Sequence, residues 1–263
     1  MKKAVFFDID GTLWDFYNRI PESTVAAIRA LRKNGNYAFI CSGRARSYIR
    51  HPDLLGIGFD GLVCGCGTHV ELDGQRIYEK LIDRELALHT VETVRSYGFR
   101  PILEGPEYLY MDDADFGNDI YGKKLKSELG EHLVSIADNY GEWVINKLSC
   151  ATNDADREGC FAALEQYYTY LIHNSSVVEL VPKGHTKATG IGKMCEALGI
   201  DRADTFAVGD SVNDLAMLEY AGVGIAMGNG SAEAKAVADY VTTDLQDDGI
   251  YNAMQHFGLI DPS

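Results

Sequence analysis

Four places in the chain carry residues that could work together. Asp8 and Asp10 stand one residue apart and are followed by Gly11 and Thr12. Ser42-Gly43-Arg44 comes next, then Lys187, and far along the chain Asp210, Asn213 and Asp214. A carboxylate can attack phosphorus and form an acyl phosphate that water then hydrolyses. A second carboxylic acid can protonate the leaving oxygen and later deprotonate the water. Several acids converging on one point repel each other unless a cation joins them, and Mg²⁺, bound through one or two carboxylates plus phosphate oxygens, suits that place. A lysine and a serine hydroxyl can hold the remaining phosphate oxygens. The set suits phosphoryl transfer.

Such a set needs elements that deliver its members to one edge. Val5-Phe6-Phe7, Tyr37-Ala38-Phe39-Ile40-Cys41 and Thr205-Phe206-Ala207-Val208 are short apolar runs, and each ends just before one of the polar groups. Continuous apolar runs of this length suit parallel strands buried on both faces, whose carboxyl ends are where open α/β sheets bind ligands. Taken singly, each group has a plainer reading. Asp-Ile-Asp-Gly is an acidic turn, Ser42-Gly43 is a turn, Asp210-Ser211 is an N-cap arrangement, and Lys187 is a solvated helix residue. A calcium loop is excluded at Asp8, because Leu13 and Arg19 occupy the positions where it needs glycine and glutamate. Recurrence at successive strand ends makes coincidence a poor explanation.

The order of elements fixes the expected architecture. A helix that starts at Pro21-Glu22-Ser23 and stops just before Gly35 follows the first strand, and a second helix through about Leu55 follows Ser42-Gly43-Arg44. Gly61–Cys64 is a third strand, so the chain begins βαβαβ, the pattern of a parallel sheet with crossover helices. A hairpin follows at Asp73-Gly74. From Asp83 the pattern becomes helix–strand–strand, twice, around an acidic, weakly periodic stretch from Asp112 to Gly141 that is expected to be helical. The βα alternation resumes at Gly184. The expectation is an α/β protein: a Rossmann-like parallel-sheet core of residues 1–82 and 184–263, interrupted by an inserted α+β cap at 83–183.

Composition narrows the function. The 263 residues are 46% hydrophobic with no run long enough to span a bilayer, and Asp8 and Asp10 break the first apolar stretch, so neither a membrane protein nor a signal peptide is expected. The reading is cytoplasmic. The formal net charge of −15 argues against nucleic acid and anionic membrane as partners, and an anionic substrate would need local help from cations or a metal. The six cysteines read as buried thiols; Cys64 and Cys66 with His69 lack the second ligand pair of a zinc site. Gly222-Val223-Gly224 lacks the spacing of a dinucleotide fingerprint, and Gly184–Thr189 lacks the Gly-Lys-Ser/Thr of a P-loop.

Asp8-Ile9-Asp10-Gly11-Thr12, Ser42-Gly43-Arg44, Lys187 and Gly209-Asp210-Ser211-Val212-Asn213-Asp214 resemble the four motifs of the haloacid dehalogenase (HAD) superfamily. The insertion resembles the type-two cap of subclass IIB, the Cof-type phosphatases, as do Ala226–Gly230 and Asp247-Asp248-Gly249-Ile250. The resemblance implies a Mg²⁺-dependent phosphatase. Asp8 would be the nucleophile and Asp10 the general acid/base. The metal would be held by Asp8, Asp10 (through its carbonyl) and Asp210. Thr12, Ser42, Gly43, Lys187 and Asn213 would hold the phosphoryl group, with Arg44 and Asp214 standing behind them. By the same resemblance the substrate is a small metabolite, a sugar phosphate first, with pyridoxal- or flavin-type phosphates as the alternative. A phosphomannomutase-like mutase would need a second phosphate site, and Arg84, Arg95, Arg100 and Arg157 are too scattered to supply one. A non-catalytic member would be marked by loss of Asp8 or Asp10, and both are present. One departure is Cys64-Gly65-Cys66-Gly67-Thr68, where many relatives have Asn-Gly; Cys66 stands for the asparagine, which puts the local hinge geometry in question.

Overall fold

The structure is a computed structural model and describes residues 2–116, 119–173 and 175–261. The chain divides into two compact units. One comprises Met1–Gly43, Arg50–Tyr78 and Thr186–Ser263; the other comprises Arg44–Ile49 and Glu79–His185. The inserted unit thus also takes up a short segment that follows the second motif.

The first unit begins with β1 (Ala4–Phe7), α1 (Glu22–Lys33), β2 (Tyr37–Cys41), α2 (Pro52–Leu55), β3 (Gly61–Cys64), β4 (His69–Leu72) and β5 (Gln75–Glu79). β1 is wholly buried, as its apolar run requires, and Phe6 stacks on Phe39 of the neighbouring strand at 5.0 Å. α1 buries Thr24, Ala27, Ile28 and Leu31 at helical spacing. The long helix expected after Ser42 is absent: a single 3-10 turn at Arg46–Tyr48 and the four-residue α2 stand there. Pro52 explains the break, because a proline disfavours helical backbone at the residue before it. Asp73 and Gly74 both have positive φ, 49° and 74°, the conformation of a tight two-residue hairpin between β4 and β5.

In the inserted unit follow α3 (Arg84–Ser96), β6 (Arg100–Glu104), β7 (Leu109–Tyr110), α4 (Asp113–Phe116), α5 (Ile120–Leu129), β8 (Leu133–Val134), β9 (Lys147–Ala151), α6 (Arg157–Leu164), β10 (Tyr168–Ile172) and β11 (Val177–Pro182). Its sheet runs β10-β11-β9-β6-β7-β8 and is antiparallel apart from the last pair. Leu103, Leu148, Cys150, Val178 and Leu180 point to one face and form a core with Val91, Val94, Cys160 and Leu164 of α3 and α6. The stretch expected to be helical from Asp112 to Gly141 is mixed, with α4, α5, a 3-10 turn and β8; residues 117 and 118 lie outside the described residues. Among the bonds that join Arg44–Ile49 to this unit, the Ala45 amide donates to Glu104 Oε2 at 3.3 Å, Ser47 Oγ donates to the Gly105 carbonyl at 2.7 Å, and the Tyr48 hydroxyl donates to Glu128 Oε2 at 3.0 Å.

The chain then returns to the first unit with α7 (Lys187–Leu198), β12 (Thr205–Gly209), α8 (Leu215–Tyr220), β13 (Val223–Ala226), α9 (Ala232–Val237), β14 (Tyr240–Val241) and α10 (Gly249–His256). The sheet order is β14-β13-β12-β1-β2-β3-β4-β5. It is parallel from β14 to β3, and β4 pairs antiparallel with β3. β1 lies between β12 and β2, so Asp8, Ser42 and Asp210 leave three adjacent strands at the same edge. Among the described residues no helix is long and apolar enough to cross a membrane.

Candidate active site

β1 delivers Asp8 at the sheet edge, where its amide donates to the Val208 carbonyl at 2.9 Å and the residue is 3% exposed. α7 begins at Lys187. Its N-cap Thr186 accepts from the Thr189 amide, and the Thr189 hydroxyl answers by accepting from the Thr186 amide. This capping box fixes where the helix starts. It thereby fixes Lys187, which is fully buried and donates to Asp8 Oδ1 at 2.6 Å and to Asp214 Oδ1 at 2.5 Å. The lysine also lies 3.4 Å from Asn213 Oδ1, which accepts from Ser211 Oγ at 2.8 Å.

Asp214 does more than the sequence assigned to it. Its second oxygen accepts from the amides of Asp210 and Ser211 at 2.9 and 3.0 Å. One buried carboxylate therefore both anchors Lys187 and shapes the loop that carries Asp210. Gly209 is required beneath it: a Cβ there would stand 2.6 Å from Asp214 Cγ. Asp8, Asp210 and Asp214 each offer one oxygen, and these three atoms lie within 4.8 Å of one another.

The electrostatics follow from three acids around one lysine. Burial, with the Asp214 carboxylate next, pushes Asp8 well above the ordinary carboxylate range, against the opposing pull of Lys187. Burial and Asp214 likewise push Asp210 up to about 7. Burial works against the charged form of Lys187, but Asp214 and Asp8 outweigh it and raise its pKa. A hard divalent cation would relieve the repulsion among these acids, and their oxygen donors fit one.

The carboxylate of Asp10 is not in that group. It is exposed and accepts from Trp14 Nε1 at 2.9 Å, while residues 10 and 14 also form a backbone bridge. Thr12 donates to Asp210 Oδ1 at 3.1 Å, so its hydroxyl ties the first loop to the last motif. Ser42 and Gly43 are buried beyond β2; the Ser42 amide donates to the Val63 carbonyl at 2.8 Å. Arg44 belongs to the inserted unit, where its guanidinium lies 4.2 Å from the centre of the Tyr48 ring.

Two supports lie outside the expected set. Asn229 donates through Nδ2 to the Gly11 carbonyl at 2.8 Å and accepts from the Leu245 amide at 2.8 Å, pinning the first loop to a distant turn. Trp14 holds Asp10. The sequence signal for Asn229 was its place in Gly228-Asn229-Gly230, noted above without a role. Gly11 itself has φ of 80°, and a Cβ on it would meet Asp210 Oδ2 at 2.4 Å. That close approach, and not only the turn, requires glycine there.

A family model for haloacid dehalogenase-like hydrolases matches residues 5–254. The chain is 34% identical over 262 residues to "Putative phosphatase YkrA" of Bacillus subtilis, covering 98% of each protein. It is 29% identical to the Bacillus subtilis protein named 5-amino-6-(5-phospho-D-ribitylamino)uracil phosphatase YcsE, covering 98% of this chain and 96% of that one. Among solved structures it is similar to BT4131, described as a HAD subclass IIB sugar phosphatase, with a TM-score of 0.81, 27% identity and 98% and 100% of the two chains covered. The family match over nearly the whole chain, and a phosphatase name on each of these relatives, place this protein among the haloacid dehalogenase-like hydrolases as a Cof-type phosphatase.

Proposed function

We propose that the protein is a Mg²⁺-dependent phosphatase of small phosphorylated metabolites that works through an aspartyl-phosphate on Asp8. The observation that carries the reading is the buried Lys187 between Asp8 and Asp214, with Asp210 in the same cluster. Lys187 aims Asp8 Oδ1 and holds positive charge where a phosphoryl oxygen would lie. Asp8 attacks phosphorus through a carboxylate oxygen, and the bond from phosphorus to the ester oxygen breaks. Asp10 gives its proton to that oxygen, and the alcohol departs. Asp10 then takes a proton from water as the water oxygen attacks phosphorus. Phosphate leaves and Asp8 is restored. Microscopic economy favours this division, because Asp8 is buried and fixed while Asp10 is exposed and able to meet both alcohol and water.

Asp8 and Asp210, with the Asp10 carbonyl, would hold the cation, since Asp214 already serves Lys187 and two amides. Bound there, Mg²⁺ supplies positive charge to the phosphoryl oxygens and offsets the acids. The substrate class is a phosphate ester of a polyhydroxylated alcohol, sugar phosphates first. The names of YcsE and BT4131 support that class. The six cysteines, all buried thiols, support a reducing compartment such as the cytoplasm.

The test is phosphate release from a panel of phosphate esters by purified protein. Activity should vanish with a chelator and return with Mg²⁺. Turnover unaffected by chelation would remove the metal from the account, and no turnover of any ester with Mg²⁺ present would remove the phosphatase.

A further inference from the structure

The edge of a sheet is a row of unpaired amides and carbonyls that another strand can join, and proteins guard such edges by keeping them short or charged. Three of the four edge strands are guarded in this way: β8 and β14 have two residues each, and β5 carries Arg76 and Glu79. The fourth, β10, is not. It is five residues long, Tyr168-Thr169-Tyr170-Leu171-Ile172, with no charge and no proline, and its register against β11 runs without a bulge. Among the described residues β11 is its only strand neighbour. Ile172 is 51% exposed.

The register tells which backbone groups face the open side. The Lys183 amide donates to the Tyr167 carbonyl at 2.9 Å, and the His173 amide donates to the Val177 carbonyl at 3.1 Å. Bonded and non-bonded positions alternate along an antiparallel pair. Thr169 and Leu171 therefore bond to β11. The amides and carbonyls of Tyr168, Tyr170 and Ile172 point outward. Pro182 agrees with this, because it stands opposite Tyr168, where no amide proton is needed. The side chains divide in step. Tyr168 and Tyr170 pack into the core with α3 and α6, so Thr169 and Leu171 lie on the other face.

We propose that β10 is a dimerisation edge, joined by β10 of a second copy of this chain, antiparallel about a two-fold axis at Tyr170. Two-fold symmetry makes two copies of one strand antiparallel neighbours. The register that pairs all five residues sets Tyr170 against the partner's Tyr170 and Tyr168 against the partner's Ile172. Outward-facing groups then meet outward-facing groups, and each such pair exchanges two bonds. A slip of one residue would set them against groups already bonded to β11. Charge favours this place for a second copy. A chain of net charge −15 repels its own copies, so self-association needs a contact free of acids, and β10 has none. The pairing lies within the inserted unit and does not rest on the phosphatase reading.

The test is sedimentation of the native protein and of two double variants. Across the two-fold, Thr169 of each copy stands opposite Leu171 of the other. Thr169→Lys with Leu171→Lys sets like charges together there, and Thr169→Glu with Leu171→Lys sets opposite ones. The native protein and the opposite-charge variant should sediment as dimers, and the like-charge variant should dissociate about tenfold or more readily. A monomeric native protein, a dimer that the like charges leave unaltered, or loss of the dimer in both variants would overturn the pairing. Amide exchange reads the contact itself. The Tyr170 and Ile172 amides should exchange about tenfold or more slowly in the native dimer than in the like-charge variant, and those of Thr169 and Leu171 should stay within about threefold. Should that variant not fold, dilution of the native protein through its dissociation constant gives the same comparison, and outward amides that exchange equally at both concentrations overturn the pairing.

Discussion

Lys187 carries a positive charge inside the protein because two carboxylates meet it, and each of the three depends on the others. That arrangement makes the site sensitive to its supports as well as to its reacting groups. Asn229 bonds to the Gly11 carbonyl and the Leu245 amide and touches none of the acids by any bond described above. Asn229→Ala should lower kcat about tenfold, with a loss of stability of about 0.5–1.5 kcal/mol set by two hydrogen bonds at an exposed position. Steady-state kinetics and urea unfolding on the same variant check both numbers; an unchanged kcat would deny the side chain its positioning role. The residues proposed to react stand out as candidates in the sequence because they follow an apolar run and precede a turn. Asn229 and Trp14 do not, since a bond from one side chain to a carbonyl far along the chain leaves no local pattern. Asp214 was read only as a supporting residue for a similar reason: spacing shows that it follows Asp210, not that its two oxygens face opposite tasks.

At the scale of elements, glycines and one cysteine define the loops around the strand ends. Gly11→Ala would place a methyl group 2.4 Å from Asp210 Oδ2 in a backbone of φ 80°. The expected outcome is a loss of activity of about 100-fold or more and a destabilisation of about 1–3 kcal/mol, from displacement of Asp210 and strain at a positive φ. Near-normal kcat in that variant would contradict the closeness of the two loops. Cys66 has φ of 56° and ψ of 41°, the left-handed region that asparagine tolerates better than most residues. This backbone shape suits the asparagine expected by resemblance, and nothing in the structure explains the cysteine that replaces it; the same turn carries Gly67, where a Cβ would stand 2.1 Å from the Thr186 carbonyl. Cys66→Val should cost at least about 1–2 kcal/mol in thermal or chemical unfolding, whereas Cys66→Asn should keep the fold. Equal stability of the two variants would show that the left-handed backbone is not what constrains this position. The strands at these edges were legible from their apolar runs, and the β4–β5 hairpin from Asp73-Gly74. The short pieces between Asp112 and Gly141 were not, because elements of two to four residues are too brief for any periodicity to show.

At the scale of the molecule, a chain of net charge −15 handles an anionic substrate by concentrating its cations. Lys187 is one, and the divalent ion proposed above is the other. The expected start of the insertion rested on the change in strand order near Asp83, and the long segment of the second unit begins at Glu79. The capture of Arg44–Ile49 by the inserted unit was not foreseeable, since it depends on Glu104 and Gly105 lying beside that segment in space. Each unit has its own core, and the carboxylates proposed to react all belong to the first. The central claim is that Asp8 becomes covalently phosphorylated. Rapid acid quench of turnover with a radiolabelled phosphate ester tests it most directly. The account predicts label on the protein that is released by hydroxylamine, maps to the peptide containing Asp8 and is missing from Asp8→Asn. Phosphate release without labelled protein at any quench time, or label that persists in Asp8→Asn, would contradict it.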